Sequence, residues 1–102
     1  MEMKKKNIER KVMKPGKAII ASKAESLRKR VRKLTGGEAK AIVMDFSGVE
    51  TVDAVGLGII IATHNTLKAV GGSLTLTEVP EEIGNSFTAM GLDRHFQVET
   101  AH

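Results

Sequence analysis

Residues 41–70, AIVMDFSGVETVDAVGLGIIIATHNTLKAV, read as a strand, a turn-rich acidic loop and one long helix. Ala41–Asp45 is a short apolar run ending on a charge, the pattern of a strand covered on both faces. Phe46–Val52 lacks helical periodicity and contains the turn pair Ser47-Gly48. Asp53 is placed to cap the helix, because its carboxylate can accept from the free N–H groups of the first turn and meets the positive end of the helix dipole. The helix runs to Val70 and stops at Gly71-Gly72. Leu57, Ile60, Ile61, His64 and Leu67 form one stripe on it, and Val55, Ile59, Ala62 and Thr66 a second. Its first two turns are thus apolar nearly all round, which predicts a helix sandwiched between neighbours. Gly56 and Gly58 each cost about 1 kcal/mol relative to alanine inside a helix, so they point to close backbone approach by a neighbouring strand or a docked partner.

Upstream, Met1–Lys6 is basic and self-repelling, and residues 1–7 read as a disordered tail ahead of a domain over 8–102. Ile8–Met13 reads as a weak strand, Pro15-Gly16 as a turn and Lys17–Ala21 as a second strand, which together predict a hairpin. Ser22-Lys23-Ala24-Glu25 matches a capping box. The helix that follows places Ala24, Leu27, Val31 and Leu34 on one face, with Arg28, Lys29, Arg30, Arg32 and Lys33 around the rest, and ends at Thr35-Gly36-Gly37. Downstream, Ser73–Val79 alternates as a strand does. Pro80, read as a first helical position, with Glu81 and Glu82, opens a last helix whose inner face is Ile83, Phe87 and Met90. Gly91 stops it, Leu92 folds back on its last turn, and Phe96–Val98 is a closing strand. The order β-β-α-β-α-β-α-β defines an α/β layer structure.

One domain fits 102 residues, with a core built from aliphatic side chains because the only aromatics are three Phe. The absence of cysteine excludes disulfides and thiolate chemistry and fits a reducing cytoplasm, the expected location. The basic N-terminus lacks the apolar stretch of a signal peptide, and no apolar run is long enough to span a membrane. The net charge of +4 conceals an asymmetry. Residues 1–40 carry fourteen Lys/Arg against four Glu, whereas 41–102 carry two against eight Asp/Glu. Such a dipolar chain can steer a charged partner.

No constellation for catalysis is visible. Gly56-Leu57-Gly58 lacks the third glycine of a dinucleotide fingerprint and lies well past its strand, and no phosphate-loop motif is present. His64, His95 and His102 lack metal-ligand spacing, and His64 reads as a core or boundary histidine. Asp45, Glu50 and Asp53 are too sparse for a calcium loop. Nothing assembles a nucleophile, a base and an orienting group. The basic half favours an acidic partner, but aromatics to stack bases are nearly absent, so no nucleic acid is expected. No cofactor or metal is expected either.

Asp45-Phe-Ser-Gly-Val and Val52-Asp53-Ala54-Val55-Gly56-Leu57-Gly58 resemble the STAS domain family, which includes anti-sigma factor antagonists. So do Ala69-Val70-Gly71-Gly72-Ser73-Leu74, Gly91-Leu92-Asp93-Arg94-His95-Phe96 and Gly16–Leu27, and together these cover almost the whole chain after about residue 8. The resemblance implies a sheet of four to five strands flanked by helices, and a non-enzymatic docking module of a partner-switching pathway. Its partner would be an anti-sigma or sensor-type kinase, or a phosphatase. The family switch is phosphorylation of Ser or Thr at the start of the central helix, which adds charge of roughly −1.5 to −2. Here the matching position is Val55, beside Ala54, and neither accepts phosphate; Ser47, Thr51 and Thr63 are the other hydroxyls nearby. The implied contact surface is Ser47, Val49, Thr51, Asp53, Ala54, Val55 and Leu57, with Arg28, Lys29 and Arg32 as a secondary basic surface. The alternatives are a ligand-binding STAS module of a transport or lipid-trafficking complex, and a structural subunit that has lost the switch.

Overall fold

The computed structural model describes residues 10–37 and 40–101. The expected tail over 1–7, the start of the first strand at Ile8, and His102 lie outside the described residues. The elements are β1 (Arg10–Met13), β2 (Ala18–Ile19), α1 (Ala24–Thr35), β3 (Ala41–Asp45), β4 (Thr51–Val52), α2 (Ala54–Ala69), β5 (Ser73–Val79), α3 (Glu81–Ala89) and β6 (Gln97–Thr100). The main sheet is four-stranded, in the order β1-β3-β5-β6, and every pairing in it is parallel. A second, two-stranded parallel sheet joins β2 to β4. The fold class is α/β, as expected.

The expected hairpin does not form. β1 pairs with β3 and β2 with β4, so the Pro15-Gly16 turn carries the chain from one sheet to the other. β4, within the predicted loop, was not anticipated; two residues carry no periodicity, and their pairing with β2 is what defines them. Parallel neighbours need long crossovers, and α2 and α3 supply those between β3, β5 and β6.

In register, Met13, Met44 and Leu76 share one face with Ile42 and Leu74, and all five are buried. Val12, Val43, Thr75 and Gln97 share the other, where Val12 is 63% exposed and Val43 and Thr75 are half-buried. β3 is therefore not covered equally on both faces. Leu27, Val31, Ile59, Ile60, Leu67, Phe46 and Phe87 belong to the same core cluster. In β5 the register shifts between Leu76 and Val79, and Glu78 takes a φ of 53°. This bulge inserts one residue and turns both Leu76 and Val79 inward, where strict alternation would have placed them on opposite faces.

Helix ends depart from the sequence reading where tertiary partners intervene. Ser22 caps nothing, because Ala21–Lys23 form a 3-10 turn closed by Lys23 N–H to Ile20 O (2.9 Å) and the N-cap of α1 is Lys23, without a side-chain bond. Pro80 is the N-cap of α3 rather than its first residue, its carbonyl accepting from Gly84 N–H at 2.8 Å. Met90 lies past the end of α3 and is 53% exposed rather than inward-facing. At the end of α2, Gly71 takes a left-handed φ of 76°. Its N–H reaches Lys68 O (3.1 Å) while Gly72 N–H reaches Leu67 O (2.7 Å), the double bond of a Schellman motif. The last strand starts one residue later than expected, at Gln97.

α2 is not sandwiched. Gly56, Ile59, Ile60, Thr63 and Leu67 are buried, whereas Ala54, Val55, Gly58, Ala62 and Asn65 are exposed. The two helix glycines separate on this count. A Cβ on Gly56 would stand 1.8 Å from Ile19 O, so β2 crosses the helix where only glycine fits, whereas a Cβ on Gly58 meets nothing within 4 Å. Gly56→Ala should therefore destabilise by about 3 kcal/mol or more through overpacking against backbone. Gly58→Ala should stabilise by about 1 kcal/mol. Urea denaturation of both variants checks the opposed signs.

Candidate functional site

The head of α2 is fixed by one carboxylate. Asp53 Oδ1 accepts from Gly56 N–H at 2.8 Å and Oδ2 accepts from Ala21 N–H at 2.9 Å. Asp53 N–H in turn donates to Ile19 O at 3.2 Å, and Glu50 N–H to Lys17 O at 2.7 Å. The expected cap is thus present and also binds the segment after β2. The Gly56 and Ala21 bonds, in that order, hold the carboxyl below its ordinary range, because both favour the charged form.

The preceding loop is ordered by its own polar groups. Asp45 Oδ1 accepts from Ser47 N–H at 2.9 Å, and Val49 N–H donates to Phe46 O at 2.9 Å. Gly48 takes the φ of 88° that a type II turn requires at its third position. Hydrogen bonds from Ser47 hold the Asp45 carboxyl low, with a smaller contribution from Lys14.

Of the residues the sequence placed on a contact surface, Ser47, Thr51, Ala54 and Val55 are exposed, and Val55 is 41% exposed. Asp53 and Leu57 are half-buried. Val49 is 3% exposed, so its side chain supports the loop from the core instead of facing outward. Thr63 is 2% exposed and its hydroxyl donates to Ile59 O at 2.8 Å, which removes it as an accessible hydroxyl.

A groove of about 340 Å³ opens between the head of α2 and α3. Val52, Asp53, Ala54 and Leu57 form one wall, and Ile83, Ser86, Phe87 and Met90 the other. Sequence reasoning missed the α3 wall. Its one signal is Met90, a large apolar side chain at a helix end. On the other flank of α2, Arg28 and Arg32 line a smaller groove with Ala62 and Thr66, while Lys29 lies exposed elsewhere on α1.

His64 is half-buried, its ring 5.3 Å from Phe96 and 6.4 Å from His95 between centroids. Burial first, then Lys68 and His95, pushes its pKa below 6.5. Among the described residues no group of His, Cys, Asp or Glu is arranged to hold a metal ion, and no helix is long and apolar enough to cross a membrane.

A family model for the STAS domain matches residues 3–102. No curated protein matches by sequence. Among solved structures, TM1081, a candidate anti-sigma factor antagonist from Thermotoga maritima, superposes in its NMR structure with a TM-score of 0.74 at 25% identity. That match covers 87% of this chain and 73% of the other. The unphosphorylated anti-sigma factor antagonist SpoIIAA gives a TM-score of 0.75 at 20% identity, covering 97% of this chain and 87% of the other. Phosphorylated SpoIIAA, the Bacillus cell fate determinant, gives 0.71 at 19%, covering 97% and 90%.

Asp53→Ala should lower the melting temperature, and Asp53→Asn, which keeps one acceptor oxygen, should lower it less. The depressed carboxyl contributes stability that is present above about pH 3.8 and is lost as pH falls through its lower folded value. His64 has the same sign in a higher window, its contribution being full above about pH 6.5 and lost on acidification below it. Melting curves between pH 7.5 and pH 5.5, roughly bracketing the ordinary histidine range, should therefore fall less steeply for His64→Gln than for the native chain.

Proposed function

The chain belongs to the STAS domain family, and on that premise we propose that it is a non-catalytic docking module whose contact surface is the head of α2. Its partner is a regulatory kinase or phosphatase of a partner-switching pathway in the cytoplasm. The reading rests on one observation: Ala54, Leu57, Ile83, Phe87 and Met90 line an open groove at the head of α2, where the next residue, Val55, is exposed. Ser47 and Thr51 extend that surface, Asp53 holds it in place, and Val49 supports it from beneath. Arg28, Lys29 and Arg32 provide a secondary basic surface for an acidic part of the partner.

SpoIIAA occurs in phosphorylated and unphosphorylated forms. By resemblance to the family motif, the position for the modified hydroxyl is Val55 in this chain. The head of α2 accordingly carries no phosphate, and the surface stays apolar. Regulation then lies with the partner, whose affinity changes while this module stays constant.

Val55→Asp places a charge on the exposed first turn of α2 and leaves the Asp53 side-chain bonds to Gly56 and Ala21 in place. It should leave the circular dichroism spectrum unchanged and cut partner affinity by about tenfold or more, since a desolvated charge is expensive at an apolar contact. Affinity capture from native extract, native chain beside Val55→Asp, with retained proteins identified by mass spectrometry, checks this. Retention of a kinase or phosphatase by the native chain alone supports the reading. Equal retention by both, or recovery of transport or lipid-trafficking components, overturns it.

A further inference from the structure

The groove between α1 and α2 has a volume of about 180 Å³, with Arg28, Val31 and Arg32 on the α1 side and Ile59, Ala62 and Thr66 on the α2 side. Val31 and Ile59 are buried and form its floor, while Arg28, Arg32, Ala62 and Thr66 are exposed along its rims. The buried Thr63 hydroxyl already donates to Ile59 O at 2.8 Å, which leaves the floor apolar. Arg28 and Arg32 stand one turn apart on α1, about 6 Å along the helix axis. No acidic side chain among the described residues lines the groove. Among those residues neither guanidinium has an ion-pair or hydrogen-bond partner, so each keeps its full fork of donors.

Two guanidiniums in step on one rim select carboxylates with the same step, because a two-pronged arginine–carboxylate pair is stronger than a neutral hydrogen bond. Carboxylates one turn apart on a helix repeat at that spacing. The groove walls are helices, whose backbone groups are already paired. An extended segment laid here would bury its own N–H and C=O groups without partners, whereas a helix satisfies them internally. We propose that this groove docks an acidic amphipathic helix of the partner protein, with its carboxylates on Arg28 and Arg32 and its apolar stripe on Val31, Ile59 and Ala62. The small side chain of Ala62 lets that helix sit close to α2. A phosphate chain is the poorer occupant, because the apolar floor offers it no donor. This contact rests on the docking reading and adds a second one to it, on the other flank of α2 from the α3 groove.

The probe is an end-blocked peptide of repeated Ala-Ala-Leu-Glu, whose residues all favour the helix and whose glutamates line one stripe beside its leucines. It is titrated into the full chain at fixed low ionic strength and followed by amide chemical shifts. Saturable shifts are expected at Val31, Arg32, Ala62 and Thr66. The counterpart of repeated Ala-Ala-Leu-Lys should give none. The acidic peptide with a proline at its middle keeps the charge but breaks the helix, and should bind about tenfold more weakly or worse. Arg28→Gln/Arg32→Gln should weaken binding of the acidic helix by about tenfold or more. Lys23→Gln/Lys33→Gln removes the same charge outside the groove and should change it by less than about threefold, because separated exposed charges are screened. Absence of saturable binding, equal binding of the proline peptide, equal weakening by the two double variants, or shifts centred on Leu57, Ile83 and Met90 each overturn the proposal. Partner capture with Val55→Asp reads the α2–α3 groove and does not depend on any of these results, so the two contacts are tested separately.

Discussion

The Asp53 carboxylate clamps the head of α2 to the segment that follows β2. One oxygen closes the first turn of α2 and the other takes the N–H of Ala21, thirty-two residues away. Around it, β2 and β4 form their two-residue ladder, and Ile19 O lies against the Cα of Gly56 too closely for any side chain. An N-cap satisfies local donors in any helix. Here it also sets where the helix stands relative to α1, because the segment it binds leads directly into α1. The groove toward α3 and the exposed crest of α2 inherit their positions from that clamp.

The helix crest itself is built from small side chains. Ala54, Gly58 and Ala62 lie in sequence steps of four, so they stack along one line of the exposed surface. Gly56 has an internal reason for being glycine and Gly58 has none. Within the docking reading, Gly58 is the point at which a partner's backbone can come nearest to the helix, a role that offsets its cost in helix propensity. The groove on one side is apolar and the groove on the other carries Arg28 and Arg32, so the two flanks of α2 differ in chemistry.

Legibility in the sequence followed the range of the interactions. β5 is readable to the residue because Leu74 and Leu76 alternate with threonines, and α2 to within one residue because Asp53 and Gly71-Gly72 mark its ends locally. The capping box at Ser22 misled because the acceptor that takes the nearby Ala21 N–H comes from Asp53, far along the chain. The hairpin misled because Pro15-Gly16 is a true turn, yet a turn does not say which strand its arms will pair with. The loop and helix start of the candidate site were visible as a motif. The α3 wall was not, because Ile83 and Phe87 read equally well as ordinary core, and only the packed structure shows Leu57 facing them.

The all-parallel ladder also governs how this chain comes together. Its registers join Arg10 to Ala41, Ala41 to Ser73 and Thr75 to Gln97, and the smaller sheet joins Ala18 to Thr51. Every strand pairing closes a loop of more than twenty residues, so each one must meet its closure entropy before any ladder bond forms. High contact order of this kind slows folding relative to a helical bundle of equal length. α2 is the longest local element, and it spans the connection whose ends, β3 and β5, pair in the sheet. β6 is the last strand to enter the described sheet, which is complete only once Thr100 is in the chain.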